Sequence, residues 1–414
     1  MSDVATARVD AEALDAGDEL ASLREEFALP QGVVYLDGNS LGALPRATGA
    51  RLREVVEREW GEGLIRSWNQ HGWIELPARV AALLAPLVGA AADEVAVADS
   101  TSVNLFKLLA GGLRLRPGRA VILSEEENFP TDLYVAQGLS ALLQGVTLRL
   151  VPRANLAAAL DESVAVLMLT HVDFRTGALH DMPQWTRAAH EVGALALWDL
   201  AHSAGAVPVD LAGSEADLAV GCGYKYLNGG PGAPAFAFVA RCHHGGFETP
   251  LQGWMGHAEP FAFDPRYRPA PGIARLLCGT PPILSLAALE CGVEAISRAG
   301  VARLRRKSMA LTDLFVRLVE RECEGFGLAL ASPQEATARG SQVSLRHRDG
   351  YAIVQALIAR GVIGDFRAPD ILRFGFAPGY LRFTDVWDAV AALRAVMEQR
   401  EWERPEHRAR VRVT

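Results

Sequence analysis

From Val95 onward, short apolar and β-branched runs alternate with longer stretches whose apolar positions recur every three or four residues. That is the rhythm of strand–helix crossovers around a mostly parallel sheet. Val95 to Ala98 predicts a strand, and Ser102 can cap a helix in which Leu105, Phe106, Leu108 and Leu109 share one face. Strands follow at 120–123 and 147–151, on either side of a helix over 132–143. Val164 to Thr170 is apolar almost throughout, as a strand covered on both faces requires. Asp181 before Met182 and Pro183 opens another helix, Gly193 closes it, and the strand at 194–199 ends on an acid, Asp199. A further strand, 233–240, follows the turn residues Gly230, Pro231 and Gly232. Beyond Pro281 and Pro282 the pattern lengthens into helices over 285–298 and 301–324, short strands near Val343 and Leu372, and a last helix from Thr384.

The pattern therefore predicts an α/β protein: a large domain over 46–283, a smaller C-terminal α/β domain over 284–414, and an N-terminal segment, 1–45, packing on the smaller one. Residues 403–414, charged and carrying Pro405, read as a tail. With 414 residues, half of them apolar, the chain can build large cores with a deep pocket between them. A formal charge of −8 and a pI near 5.7 exclude a sequence-independent grip on nucleic acid, which needs a clustered cationic surface. The longest stretch without a polar side chain, Val80 to Ala92, contains Pro86 and Gly89 and falls short of the roughly 20 residues a membrane helix requires. The acidic N-terminus does not read as a secretory signal, so a cytoplasmic protein is expected. Five widely spaced cysteines form no Cys-x-x-Cys pair, so packed thiols and no metal site are expected.

Candidate chemistry gathers in a few segments. Lys225 lies between two aromatics, Tyr224 and Tyr226, and among five glycines in 221–232. Loop lysines are common, but one wrapped this way can lose solvent, and with it a proton, and attack an aldehyde to form a Schiff base. Asp199 stands at the carboxyl end of a buried strand, where ligands of open α/β sheets gather. It can keep a cofactor pyridine protonated, or simply cap the turn that follows. His202 can lie against the same ring, although a lone histidine is more often structural. Ser100, Thr101 and Ser102 precede a helix and offer hydroxyls and amides to a phosphate, as ordinary caps also do. Phe129 can stack on a flat ring and Asp132 can cap a helix; a plain turn explains both equally. Gly38-Asn39-Ser40-Leu41-Gly42 matches the Gly-x-Ser-x-Gly elbow of serine hydrolases, but it precedes every strand of the sheet and Pro45 interrupts the helix the elbow needs.

Taken together, Tyr35-Leu36-Asp37-Gly38-Asn39-Ser40-Leu41-Gly42, Asp199-Leu200-Ala201-His202, Tyr224-Lys225-Tyr226-Leu227-Asn228 and Leu372-Arg373-Phe374 resemble the kynureninases, pyridoxal-phosphate enzymes of the aspartate aminotransferase fold group. The resemblance covers nearly the whole chain. It implies a pyridoxal-phosphate-dependent transferase-like large domain and hydrolytic Cβ–Cγ cleavage of L-kynurenine to anthranilate and L-alanine. Lys225 then holds pyridoxal 5′-phosphate, Asp199 pairs with its ring nitrogen, Phe129 stacks on the ring, and Tyr224 relays a proton. Thr101, Ser102, Asp132, Thr170 and His202 fall on further cofactor-contacting positions, while Trp254 and Thr280 reach the phosphate region of a neighbouring subunit, so a homodimer is implied. Arg373 falls where the family binds the substrate α-carboxylate, with Ser40 and His71 beside the substrate; without the resemblance Arg373 would read as a surface ion pair. Gly279 and Thr280 put small groups near the substrate ring and favour kynurenine over 3-hydroxykynurenine. One departure is Gly379, where a larger apolar residue is expected. Three rivals stand beside this reading. A cysteine desulfurase on the same scaffold needs a mobile cysteine, and Cys222 sits inside the lysine motif; a serine hydrolase would use Ser40; a non-catalytic relative would not need both Lys225 and Asp199.

Overall fold

The computed structural model describes residues 7–410. The apolar runs of the central chain become a seven-stranded sheet: β1 (Val95–Ala98), β2 (Val121–Glu125), β3 (Thr147–Val151), β4 (Val164–Thr170), β5 (Leu195–Asp199), β6 (Leu218–Gly221) and β7 (Ala235–Val239). Their order across the sheet is β1-β7-β6-β5-β4-β2-β3. Only β7 runs against its neighbours. Parallel neighbours need helical crossovers, which cover both faces, and β4 and β5 are accordingly buried along their full lengths. Each buried aliphatic side chain in these strands contributes about 1.5–3 kcal/mol.

The helices start where their caps allow. Ser100, not Ser102, caps the helix Thr101–Leu115, its Oγ accepting from the Val103 amide at 3.3 Å. The capping oxygen must precede the first turn to reach the third amide, and Ser102 already lies inside that turn. Asp181 caps Met182–Glu191 as its position predicts, accepting from the Gln184 amide at 2.9 Å.

The smaller C-terminal part has an antiparallel sheet of β8 (Ala329–Leu330), β9 (Gln342–Arg346), β10 (Asp365–Arg367) and β11 (Ile371–Gly375), in the order β8-β9-β11-β10. The helices Val301–Glu322 and Phe383–Glu398 pack on one another beside it. The N-terminal segment joins this part. Val34–Tyr35 pairs in parallel with Val362–Ile363, and Asp15 caps Phe383–Glu398 by accepting from the Phe383 and Thr384 amides at 2.6 and 3.1 Å. A Cβ on Gly379 would touch Phe27 and Leu23 at 3.4 and 3.5 Å, so this segment already fills the space a larger side chain would take. Part of the expected tail is ordered: Pro405–Arg408 is helical, His407 is buried, and the Tyr351 hydroxyl donates to the Ala409 carbonyl at 3.0 Å. Residues 411–414 lie outside the described part. Among the described residues, no helix is long and apolar enough to cross a membrane, and no cluster of side chains is suited to a metal ion. All five cysteines are free; Cys222, Cys291 and Cys323 are packed thiols, whereas Cys242 is exposed and Cys278 partly so.

Candidate active site

The carboxyl ends of β2, β4, β5 and β6 open on one edge of the sheet, and the loops leaving them carry most of the singled-out side chains. After β6 the chain forms a tight loop and returns through Gly230-Pro231-Gly232 into β7. Its two limbs touch because Gly223 has no side chain: a Cβ there would stand 2.4 Å from the Pro234 carbonyl. The loop is closed by the Gly229 amide donating to the Gly223 carbonyl at 2.9 Å. The N-terminal segment clamps it from outside, the Gly42 amide donating to the Tyr224 carbonyl at 2.8 Å.

This scaffold buries Lys225. Its Nζ lies 5.8 Å from the ring centroids of both Phe129 and Tyr224 and makes no hydrogen bond or ion pair with any described residue. The chain has only two other lysines, Lys107 and Lys307. Both are committed: Lys107 bonds Asp99 and, at 2.6 Å, the Leu276 carbonyl, while Lys307 pairs with Asp18 at 2.7 Å. Burial lowers the pKa of Lys225; Cys222 and Asp199 oppose the shift, and Arg373 and Arg367 add to it. A lowered ammonium pKa leaves more of the amine free to attack a carbonyl.

Asp199, ending β5 and in register with Thr170 of β4, is buried with Oδ1 accepting from the Ala201 amide at 2.7 Å. The capping alternative is thus realised by one oxygen; burial pushes the Asp199 pKa up, and the Lys225 charge opposes that shift. Beside it lies Asp132, also buried, whose Oδ2 has no partner. Burial, then the Asp199 charge, push Asp132 well above the usual carboxylate range. Thr170 Oγ1 donates to Asn128 Oδ1, which also accepts from the Phe129 amide at 2.7 Å. Thr170 and Asn128 therefore fix Phe129, whose ring meets Phe174 edge-on at 5.1 Å and stays partly exposed. His202 is buried with Nδ1 3.2 Å from Gln342 Oε1, and burial keeps the ring neutral. Tyr224 borders a cleft of about 530 Å³ together with Ser100, Thr101 and Leu41. The first turn of the helix behind it presents the Thr101 and Ser102 amides.

On the C-terminal side Arg373 is buried in β11. Nη1 donates to the Phe174 carbonyl at 2.8 Å, Nε to Asp365 Oδ1 at 2.8 Å, and Nη2 to Ser40 Oγ at 2.8 Å and to Asp365 Oδ2. Four of its five N–H groups are occupied, leaving one on Nη1. Arg367 reaches the same Asp365 oxygen at 2.7 Å, and Ser40 Oγ donates to it at 2.9 Å. The surface ion pair expected of an isolated arginine is not what forms.

Three expected residues stand apart. Trp254, edge-on to Phe261, is exposed, as are Thr280 and His71. None of the three has a hydrogen bond or ring contact to the Lys225 cluster among the described residues. The hydrolase elbow is not formed: Ser40 belongs to a turn closed by its own amide on the Asp37 carbonyl at 2.9 Å, and its hydroxyl bonds Asp365 rather than a histidine. Cys222 is buried with Sγ directed at the Ala201 carbonyl at 3.7 Å, the opposite of a mobile nucleophile. The residues missed were Asn128, Phe174, Asp365 and Arg367. Strand alternation holds a signal for the last two, because Asp365 and Arg367 share one face of β10 and Asp365 pairs in register with Arg373.

A family model of the kynureninase C-terminal domain matches residues 304–393. A kynureninase of Burkholderia mallei (strain SAVP1) is 58% identical over 413 residues, covering 98% of this chain and 99% of its own. One of Pseudomonas fluorescens is 55% identical over 415 residues, covering 99% of this chain and 100% of its own. Among solved structures, the apo cysteine desulfurase from Thermococcus onnurineus NA1 superposes with a TM-score of 0.79 at 18% identity, covering 91% of this chain and 98% of its own. A C-DES mutant with glycine covalently linked to its PLP cofactor gives 0.77 at 19% identity, covering 90% and 98%. At such identities the two structures share the fold alone.

Proposed function

Because this chain belongs to the kynureninase family, we propose that it hydrolyses the Cβ–Cγ bond of L-kynurenine to anthranilate and L-alanine with pyridoxal 5′-phosphate held on Lys225. The observation that carries the site assignment is the state of the lysines: one buried amine without a partner, in a chain whose other two are bonded. The surroundings fit the cofactor. A buried carboxylate faces the amine, Asp132 Oδ2 lacks a partner, Phe129 offers a ring face, and a helix N-terminus stands ready for a phosphate.

When bound, pyridoxal phosphate supplies an aldehyde for the substrate amine and a protonated ring that accepts the electrons released at Cα. The protein supplies the rest. Lys225 would hold the cofactor and, with its pKa lowered by burial, would be suited as the base that removes the α-proton. Asp199 would keep the ring nitrogen protonated, Asp132 and His202 would contact the cofactor, and Thr170, through Asn128, holds the stacking Phe129 in place. Tyr224, its pKa raised by burial, remains a proton donor through the working pH range and serves the γ-oxygen or the departing carbon. Thr101 and Ser102 hold the phosphate, and Arg373 with Ser40 takes the α-carboxylate.

Trp254 and Thr280, exposed on their own chain, complete the site of a second copy, so the working unit is a homodimer with shared active sites. The small groups at Gly279 and Thr280 favour kynurenine over its 3-hydroxy analogue, with His71 near the ring. The packed thiols of Cys222, Cys291 and Cys323 support a cytoplasmic enzyme. The desulfurase reading is disfavoured by the packed Cys222. An anthranilate fluorescence assay tests the function: wild-type protein releases anthranilate from kynurenine, and Lys225→Ala lowers the rate by at least about a thousandfold and removes the visible absorbance of bound cofactor. Cleavage by Lys225→Ala at the wild-type rate would refute it.

A further inference from the structure

The Arg373 cluster contains one acid with no ion pair of its own. Asp37 follows the short strand Val34–Tyr35 and bridges to Gly375 at the end of β11, which sets its carboxyl group beside the guanidiniums of β10 and β11. Asn39 stands between Asp37 and Arg373. With its amide turned to satisfy both, Nδ2 lies 3.3 Å from Asp37 Oδ1 and Oδ1 lies 3.1 Å from Arg373 Nε. The groups facing Asp37 are Tyr35 and Ser40 from its own segment, Asp365 and Arg367 from β10, Arg373 from β11, Tyr226 from the lysine loop, and Tyr380 beyond β11. Asp365 takes every direct bond that the two guanidiniums give to a carboxylate here.

Charge balance makes this arrangement responsive. With both acids ionised, Arg367 and Arg373 are neutralised by Asp365 and Asp37. A substrate carboxylate entering on Arg373 adds a third anion to a largely buried cluster, a cost that one proton on the acid without an ion pair removes. We propose that Asp37 is a positioning residue for the substrate α-carboxylate, carrying a proton whenever that carboxylate is seated on Arg373. The proposal rests on the reading of Arg373 as the carboxylate anchor.

Burial, followed by the Asp365 charge, already pushes Asp37 up to about 7 in the free protein. The sign follows. Below that pH Asp37 is protonated before the ligand arrives and binding does not depend on pH; above it, binding must take up a proton and weakens as pH rises.

The test uses the holoenzyme and 4-(2-aminophenyl)-4-oxobutanoate, which carries the aryl ketone and carboxylate of kynurenine but no aliphatic amine to titrate. Its inhibition constant is measured from pH 6 to pH 8 for wild type, Asp37→Asn and Arg373→Ala. The wild-type constant is expected to rise about tenfold across that range, and the Asp37→Asn constant to stay level. A level wild-type profile, or the same rise in Asp37→Asn, overturns the proposal. Arg373→Ala separates the two levels of the argument. If it weakens inhibition while Asp37→Asn keeps the wild-type rise, the role of Asp37 fails and the carboxylate anchor stands; if it leaves inhibition unchanged, the anchor fails and the proposal with it. Should Asp37→Asn not fold, the wild-type profile alone decides.

Discussion

At the scale of single residues, the site is a set of buried polar groups held in states that water would not give them. Lys225 is nearly enclosed and unpaired, burial and the Asp199 charge push Asp132 up, and burial pushes His202 down. Asp199→Asn removes the charge that keeps a ring nitrogen protonated, and turnover is expected to fall by at least about a hundredfold. Tyr224→Phe removes a proton and leaves the ring, so kcat is expected to fall by about a hundredfold or more while KM stays within a few-fold. Steady-state kinetics with kynurenine checks both, and a Tyr224→Phe enzyme of unchanged kcat would contradict its role. Lys225 and Asp199 stood out in the sequence by their chemical setting, whereas Arg373 was marked only by the resemblance and would otherwise have read as a surface ion pair. Asp37 and Asp365 were not, since an acid in a turn or a short strand reads as solvated until the strands around it are assembled.

At the scale of elements, most strands and helices were legible because their apolar periodicity is strong and their ends carry Asp181, Pro281 or Pro282 and Gly193. The strand Leu218–Gly221 escaped notice: four residues leading directly into a glycine-rich loop offer too little alternation to separate strand from turn. That strand places Lys225. The helix cap was misread by two residues because Ser100, Thr101 and Ser102 are chemically interchangeable caps, and only backbone direction selects Ser100. The contact between the N-terminal segment and the lysine loop gives a prediction of its own. A Cβ on Gly42 would stand 2.3 Å from the Lys225 carbonyl and 2.4 Å from Asn228 Oδ1. Gly42→Ala is therefore expected to displace the loop and weaken cofactor retention more than it lowers overall stability. Dialysis of the holoenzyme followed by absorbance, alongside a melting curve, checks this; full cofactor retention would contradict it.

At the scale of the whole molecule, the alternation of strands and helices announced a doubly covered sheet, and the change of pattern after Pro282 announced a smaller C-terminal part. The reversed β7 was not announced, because a buried strand reads the same in either direction. Also beyond sequence periodicity was the meeting of three distant segments, 35–42, 221–232 and 365–375, which brings Ser40, Lys225 and Arg373 into one charge cluster. The whole chain also supplies the sharpest test, because it holds just three lysines and two are bonded. Holoenzyme reconstituted with pyridoxal phosphate, reduced with borohydride, digested and mapped by mass spectrometry should carry the pyridoxyl group on the peptide containing Lys225, with the Lys107 and Lys307 peptides unlabelled. Label on Lys107 or Lys307 instead, or on no lysine at all, would contradict the account.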